Sequence, residues 1–179
     1  MDFYLGGRFK MHKIGENVVY GGNGVMTVVD IREERFGDTM RSYYVLREVG
    51  SRSESLTFVP TDNEKLVSQM RALLTRDEII EVLRSSKNAP DCEWAKDSRS
   101  RTERFRQIME SGDRAKIISM IRTIYNAGIR REDEGKKNFL SDENAMRKAE
   151  KLLYSEFSLV LGIPEEEVPA FIKAEMEKG

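Results

Sequence analysis

The sequence contains very little cysteine and very little histidine. Its 179 residues include one cysteine, Cys92, and one histidine, His12. A single cysteine excludes a disulfide within the chain, and so few thiol and imidazole groups argue against a metal site. Cys92 lies between Asp91 and Glu93, whose negative charges disfavour a reactive thiolate, and no P-loop, G-x-S-x-G or H-E-x-x-H motif occurs. We therefore expect a protein that is not an enzyme and needs no cofactor or metal.

Long apolar runs and net charge are also lacking. No apolar stretch approaches the roughly 18 residues that a membrane-spanning helix requires. The N-terminus has no apolar region of the secretory type, so we expect a cytoplasmic protein with no membrane contact. The net charge is only -1, so any nucleic-acid site must be a local basic patch.

The first third of the chain has the pattern of short β-strands. β-branched and aromatic residues flank residues 21–24 and again flank Gly37-Asp38, and glycine and asparagine tolerate the backbone angles of tight turns. A further strand, at residues 56–59, is ended by Pro60, which cannot donate a backbone hydrogen bond. A small, strongly bent β-barrel is the economical arrangement, because closing the sheet limits its exposed edges.

The remainder of the chain has the pattern of helices. Thr75 and Glu78 have the spacing of a capping box, which predicts a helix start. We predict a second helix that begins near Trp94, a charged loop over residues 128–138, and a further helix capped by Ser141. The expected fold class is therefore α+β, with a small N-terminal β-barrel followed by an all-helical C-terminal domain.

The only tryptophan, Trp94, stands at the start of a basic stretch. From Trp94 to Arg106 there are five basic and two acidic residues. On a helix, Lys96, Arg99 and Arg106 would share one stripe. Such cations hold phosphates, and an exposed ring among them can stack on a base or wedge into a kinked duplex. The alternative is that the indole packs between helices and the arginines are solvated, and these residues alone leave both interpretations open.

The order of short motifs along the chain resembles that of a known family. In the first third the motifs are Ile14-Gly15-Glu16-x-Val18-Val19-Tyr20, Gly24-Val25, Tyr43-Tyr44-Val45-Leu46 and Phe58-Val59-Pro60. Later motifs are Trp94 with basic residues after it, Ser111-Gly112-Asp113, Ile121-Arg122-x-Ile124-Tyr125, Leu140-Ser141-x-Glu143 and Ala149-x-x-Leu152-Leu153-x-x-Glu156. This ordered set, over residues 12–162, resembles the CarD/CdnL family of bacterial RNA-polymerase-binding transcription regulators. The first part is also similar to a domain of transcription-repair coupling factor.

The resemblance implies a Tudor- or SH3-like barrel that binds the RNA polymerase β subunit, and a helical domain that contacts promoter DNA. The tryptophan would enter the minor groove at the upstream edge of the melting bubble, while nearby cations hold the backbone. By position, the expected DNA-binding residues are Trp94, Lys96, Arg99 and Arg101. The expected polymerase-binding residues are Leu56, Phe58 and Val59, on a strand that adds to an edge of the partner, together with Arg35, whose side chain would add specificity.

The expected organisation is an N-terminal extension at residues 1–11, the barrel at residues 12–64 and the helical domain at residues 65–179. The expected protein is a monomer that stabilises the open promoter complex with little sequence specificity. The alternative hypothesis is a protein-recruitment or scaffold module without direct DNA contact. Three residues depart from the family pattern: Gly21 replaces a proline that relatives often have at the first turn, Phe58 stands where relatives often carry a basic residue, and Asp97 would repel phosphate if it faced DNA.

Overall fold

The computed structural model describes residues 11–51 and 53–178, without the side chain of Phe36. The expected N-terminal extension therefore lies outside the described residues, except for Met11. The chain divides between Leu73 and Leu74 into two compact units, here called the β unit and the helical unit. The first is built on an antiparallel sheet and the second on helices, which confirms the α+β class.

The β unit contains five strands and one short helix within the described residues. Their bounds are β1 Asn17–Tyr20, β2 Val25–Phe36, β3 Thr39–Glu48, β4 Thr57–Pro60, α1 Glu64–Val67 and β5 Met70–Ala72. A 3-10 turn, Gly21–Asn23, joins β1 to β2. The strands are antiparallel and follow the order β4-β3-β2-β1-β5, so β4 and β5 form the two ends of the sheet.

The hairpin of β2 and β3 confirms the turn predicted at Gly37-Asp38. Phe36 pairs with Thr39 across the turn, and Gly37 has the positive φ of 64° that a residue with a side chain rarely adopts. The register shifts between Val28 and Asp30, and such an irregularity increases the local twist of a strand pair. The hydrophobic core of this unit includes Val18, Tyr20, Met26, Val28, Tyr44, Leu46, Val59, Val67 and Met70.

The last strand, β5, extends the β unit past the expected boundary at residue 64. It pairs with β1, with Met70 opposite Tyr20, and the Met70 side chain is only 5% exposed. Three residues are too few to show strand periodicity in the sequence. The β unit therefore continues to Leu73.

The helical unit begins with the capping box that the sequence predicts. Oγ1 of Thr75 accepts from the Glu78 backbone N–H at 3.3 Å, and Oε2 of Glu78 accepts from the Thr75 N–H at 2.7 Å.

The helices of this unit are α2 Arg76–Ser86, α3 Ser98–Ser111, α4 Arg114–Asp133, α5 Leu140–Leu161 and α6 Val168–Glu177, with a 3-10 turn at Glu165–Glu167. Their core includes Ile79, Leu83, Phe105, Met120, Leu153 and Phe157. Among the described residues, every helix is too short or too polar to span a bilayer.

The second predicted helix begins later than expected. α3 starts at Ser98 and not near Trp94, because Asp97 caps it: Oδ1 of Asp97 accepts from the Ser100 N–H at 2.8 Å. Trp94 and Lys96 therefore lie on a non-helical connector, and the predicted stripe of cations on one helix does not form.

Two further helix limits were predicted wrongly. α4 continues through Gly128 to Asp133, where a loop was expected from residue 128. A Cβ at Gly128 would lie 3.3 Å from Nδ2 of Asn138, so close packing against that amide accounts for a glycine inside a helix. α5 begins at Leu140 after Phe139, and Ser141 is inside the helix rather than its cap.

Candidate functional site

The connector at residues 87–97, which carries Trp94, is held against α4 by hydrogen bonds. The guanidinium of Arg122 forms an ion pair with Asp91 at 2.8 Å and donates to backbone carbonyls near the start of the connector. The backbone N–H of Cys92 donates to Oγ1 of Thr123 at 2.9 Å. A segment without regular structure is thereby fixed at several points along one helix.

The Trp94 indole is half-buried. It packs edge-to-face on Phe105, with ring centroids 6.3 Å apart and an interplanar angle of 61°. The guanidinium carbon of Arg101 lies 4.6 Å from the indole centroid, which is the geometry of a cation–π contact. One part of the indole is therefore anchored on the helical core while another part remains accessible to solvent.

Arg101 has a buried position, contrary to the expected DNA contact. Its side chain is 1% exposed, and its Nε donates to both carboxylate oxygens of Asp142 at 3.0 Å. Its Nη1 donates to the carbonyl of Ala95 at 3.0 Å, and its guanidinium carbon lies 5.0 Å from the Phe139 ring centroid. A guanidinium enclosed in this way has no surface left for a phosphate, so Arg101 holds the Trp94 connector instead.

Lys96 and Arg99 remain available to bind a phosphate backbone. Both are exposed, and neither side chain forms a hydrogen bond or ion pair with any other residue that the structure describes. Arg106 differs, because its guanidinium lies 2.6 Å from Glu103, and its hydrogen bonds lower the pKa of Glu103 to about 2. With respect to the described residues, Lys96 and Arg99 are therefore free to meet an external anion, whereas Arg106 is already paired.

The negative charge of Asp97 was expected to repel phosphate if the side chain faced DNA. Its carboxylate instead accepts the Ser100 backbone N–H, and this hydrogen bond lowers the pKa of Asp97. The positive end of the α3 dipole offsets part of that charge. The residue is thus explained as a helix cap.

A cavity of about 270 Å³ opens beside Trp94, between the second half of α4 and the start of α5. Its apolar lining comes from Trp94, Tyr125, Ile129, Phe139 and Met146, and carboxylates of Glu132, Asp142 and Glu143 also line it. The sequence reasoning missed this cavity. The sequence feature that could have indicated the cavity is the Ala127-Gly128 pair in the second half of α4, because these two small residues are part of the cavity lining.

A second candidate surface is the edge strand β4. It pairs with β3 on one side, with Val45 opposite Phe58, and stands at one end of the strand order. Val59 is fully buried, so only its backbone can meet a partner, whereas Leu56 is 37% exposed. The structure therefore brings three of the four expected polymerase-binding residues together at this edge.

Phe58 lies next to a cation that the sequence reasoning did not identify. Its ring packs edge-to-face on Tyr43, with centroids 6.2 Å apart, and the guanidinium carbon of Arg32 on β2 lies 5.5 Å from its centroid. Arg35, the fourth expected residue, is exposed near the far end of β2, where its Nε donates to the Gly37 carbonyl at 3.1 Å. A basic group is thus present beside Phe58, supplied by another strand.

Comparison with protein-family models matches both units. The CarD-like/TRCF RID domain matches residues 12–72, and the CarD C-terminal domain matches residues 78–173. The chain belongs to the CarD family. Members of the CarD family are transcription regulators that interact with RNA polymerase. A search of curated proteins finds no match.

In this CarD-family protein the two candidate surfaces lie in different domains. β4 belongs to the RID domain, and the connector with Trp94, Lys96 and Arg99 belongs to the C-terminal domain. That these residues contact polymerase and DNA stays a prediction. Within the described residues no group of three or more His, Cys, Asp and Glu side chains is arranged to hold a metal ion.

Proposed function

We propose that this CarD-family protein is a monomeric, cytoplasmic and non-catalytic regulator that stabilises the open promoter complex. Its RID domain binds the RNA polymerase β subunit, and its C-terminal domain contacts the minor groove and backbone of promoter DNA at the upstream edge of the bubble. The observation that carries this proposal is the half-buried indole of Trp94, anchored on Arg101 and followed by the two free cations Lys96 and Arg99.

The polymerase contact is supported by the position of β4. Within the part of the chain that the structure describes, β4 pairs with β3 alone, and a strand paired on one side presents N–H and C=O groups to which a strand of a partner can add. Leu56 and Phe58 supply exposed or half-exposed apolar surface beside those groups. Main-chain pairing then gives affinity, and these side chains give selectivity.

The DNA contact is supported by the way in which Trp94 is held. An aromatic ring that wedges between bases must keep its orientation while the duplex presses against it. Arg101 provides such a support, since it contacts the ring and binds the connector backbone at Ala95. Lys96 and Arg99 then hold phosphates without reading base edges, so little sequence specificity is expected.

The energetic effect follows from preferential binding to one state. A ligand shifts an equilibrium by no more than its difference in affinity for the two states. One base stacked on an aromatic ring contributes about 1–3 kcal/mol, which corresponds to roughly a 5- to 150-fold change in an equilibrium. Because the RID domain keeps the C-terminal domain near the promoter, weak intrinsic DNA affinity is sufficient.

The lifetime of the open complex tests this proposal. With polymerase and promoter, Trp94→Ala should shorten the lifetime gained from the protein, while retention on the polymerase β subunit stays unchanged. Trp94→Phe should keep part of the effect, because an aromatic ring remains. An unchanged lifetime with Trp94→Ala would exclude the wedge.

The recruitment-module alternative is distinguished by DNA binding itself. A forked duplex should bind the wild-type chain in a salt-dependent way and bind Arg99→Glu much more weakly. Equal binding of the two proteins would favour a module that recruits a protein and does not touch DNA.

A further inference from the structure

We infer that the cavity beside Trp94 receives one unpaired base of the separating promoter strands. The inference rests on the proposed function, because a displaced base reaches the cavity only if Trp94 lies where the strands part. Trp94 is itself part of the cavity wall, so a base pushed from its stack by the indole would lie next to this opening.

The dimensions and lining of the cavity suit a single flat heterocycle. Its volume of about 270 Å³ is below the roughly 300–1,000 Å³ typical of pockets for larger ligands. Tyr125 is 60% exposed, Phe139 42% and Ile129 41%, so apolar surface faces solvent around the opening. Exposed apolar groups that cluster in this way mark a binding surface, and every base has a face that stacks on an aromatic ring.

The charges of the lining exclude a phosphate as the occupant. The carboxylates of Glu132 and Glu143 would repel it, whereas the carboxylate of Asp142 is paired with Arg101. Arg131, the one cation of the lining among the described residues, is already engaged: its guanidinium lies over the Phe139 ring at 4.0 Å and donates to a backbone carbonyl. The cavity therefore suits an uncharged part of a nucleotide, which is the base.

The polar atoms of the lining suit the edge of a base. The carboxylates of Glu132 and Glu143 are acceptors in the cavity lining, and one oxygen of Glu132 already accepts from Nδ2 of Asn138 at 3.0 Å. Adenine, guanine and cytosine carry exocyclic amino groups that donate to such acceptors. A base enclosed here gains stacking and hydrogen bonds that it loses on re-pairing, and so the open state is favoured further.

Binding of forked duplexes to the full chain at low salt tests the inference. The two forks of a pair differ only at the first unpaired position of one DNA strand, which carries adenine in one fork and an abasic site in the other. A second pair carries the same difference in the opposite strand. In one of the two pairs, the wild-type chain should bind the adenine fork about 5-fold or more tightly than the abasic fork, as measured by fluorescence anisotropy. Tyr125→Ala should remove this preference without emptying the core, because the side chain is largely exposed.

Leu140→Ala is the matched control. Leu140 is 67% exposed and lies at the start of α5 but is not part of the cavity lining, so this variant should keep the preference. Equal binding of the two forks by the wild-type chain on both strands overturns the inference, as does a preference that survives Tyr125→Ala or disappears in Leu140→Ala.

Trp94→Ala separates this inference from the proposed function. If Trp94→Ala weakens binding to both forks while the wild-type chain shows no preference for adenine, the wedge stands and the base site is wrong. If Trp94→Ala changes neither fork, the proposed function fails and the base site fails with it.

Discussion

Arg101 and Asp142 form a buried ion pair that joins the first turn of α3 to the start of α5. Arg101 is 1% exposed and Asp142 is 4% exposed, and the guanidinium meets the carboxylate at 3.0 Å. The same guanidinium lies over the Trp94 ring and binds the backbone of the connector. One residue pair therefore couples the stability of the C-terminal domain to the position of its half-buried indole.

Removing the guanidinium should destabilise the C-terminal domain strongly. Arg101→Ala leaves the Asp142 carboxylate buried with no opposing charge, since only the Ser141 hydroxyl still donates to it, and breaking such a pair costs about 3–5 kcal/mol. We expect the double change Arg101→Met with Asp142→Leu to lose less than the two single changes added together, because no lone charge remains buried. Urea unfolding followed by circular dichroism checks both, and a wild-type unfolding midpoint for Arg101→Ala would contradict the assignment.

The two kinds of cation on α3 should differ in DNA binding. Arg99→Ala should weaken binding to forked duplexes of any sequence and lower the slope of log K against log salt by about 1, because one phosphate contact is lost. Arg106→Ala should leave the slope unchanged, since that guanidinium is already paired with Glu103. Titrations at several salt concentrations measure the slopes, and a wild-type slope in Arg99→Ala would show that Arg99 does not contact phosphate.

The β4 edge should be essential for polymerase binding. Phe58→Asp places a charge on the edge strand, where it would be desolvated on docking, so retention on the isolated β-subunit lobe should be lost in a pull-down. Ile14→Asp is the control, because Ile14 is 61% exposed and precedes β1, which is not at the β4 edge. Normal retention of Phe58→Asp would remove strand addition as the docking mode.

The pKa of Glu103 should depend on Arg106. Hydrogen bonds from Arg106, and next from Gln107, lower this pKa from 4.5 to about 2. Because the folded-state pKa is depressed, the associated stabilisation is present above the unfolded value of 4.5 and is lost as the pH falls toward 2. In Arg106→Ala the pKa should rise toward 4.5, whereas in Arg99→Ala it should stay near 2, as observed by carboxyl NMR titration. A Glu103 titration near 4.5 in the wild-type chain would refute the pairing.

Local signals in the sequence predicted much of the fold. The Gly37-Asp38 turn and the Thr75 capping box are encoded within a few residues, and both are confirmed. The extent of α4 was not predictable, because Gly128 is accommodated by Asn138, which the sequence does not show to be a neighbour.

The candidate site was predictable only in part, for a similar reason. The sequence marks Trp94 and the basic residues after it, but it does not show which of them are buried. Arg101 pairs with the carboxylate of Asp142, which lies 41 residues further along the chain, so the burial of Arg101 depends on tertiary packing. The cavity likewise forms between α4 and α5 and has no motif of its own.

The pairing of β5 with β1 has a consequence for biosynthesis. β5 is the last strand of the sheet to be translated, and its Met70 packs in the same hydrophobic core as Val18 of β1. A nascent chain that has emerged only to Pro60 lacks this strand and leaves the Tyr20 edge of β1 uncovered. We therefore expect folding of the RID domain on the ribosome to be completed only after residue 72 has left the exit tunnel, while the C-terminal helices are still being translated.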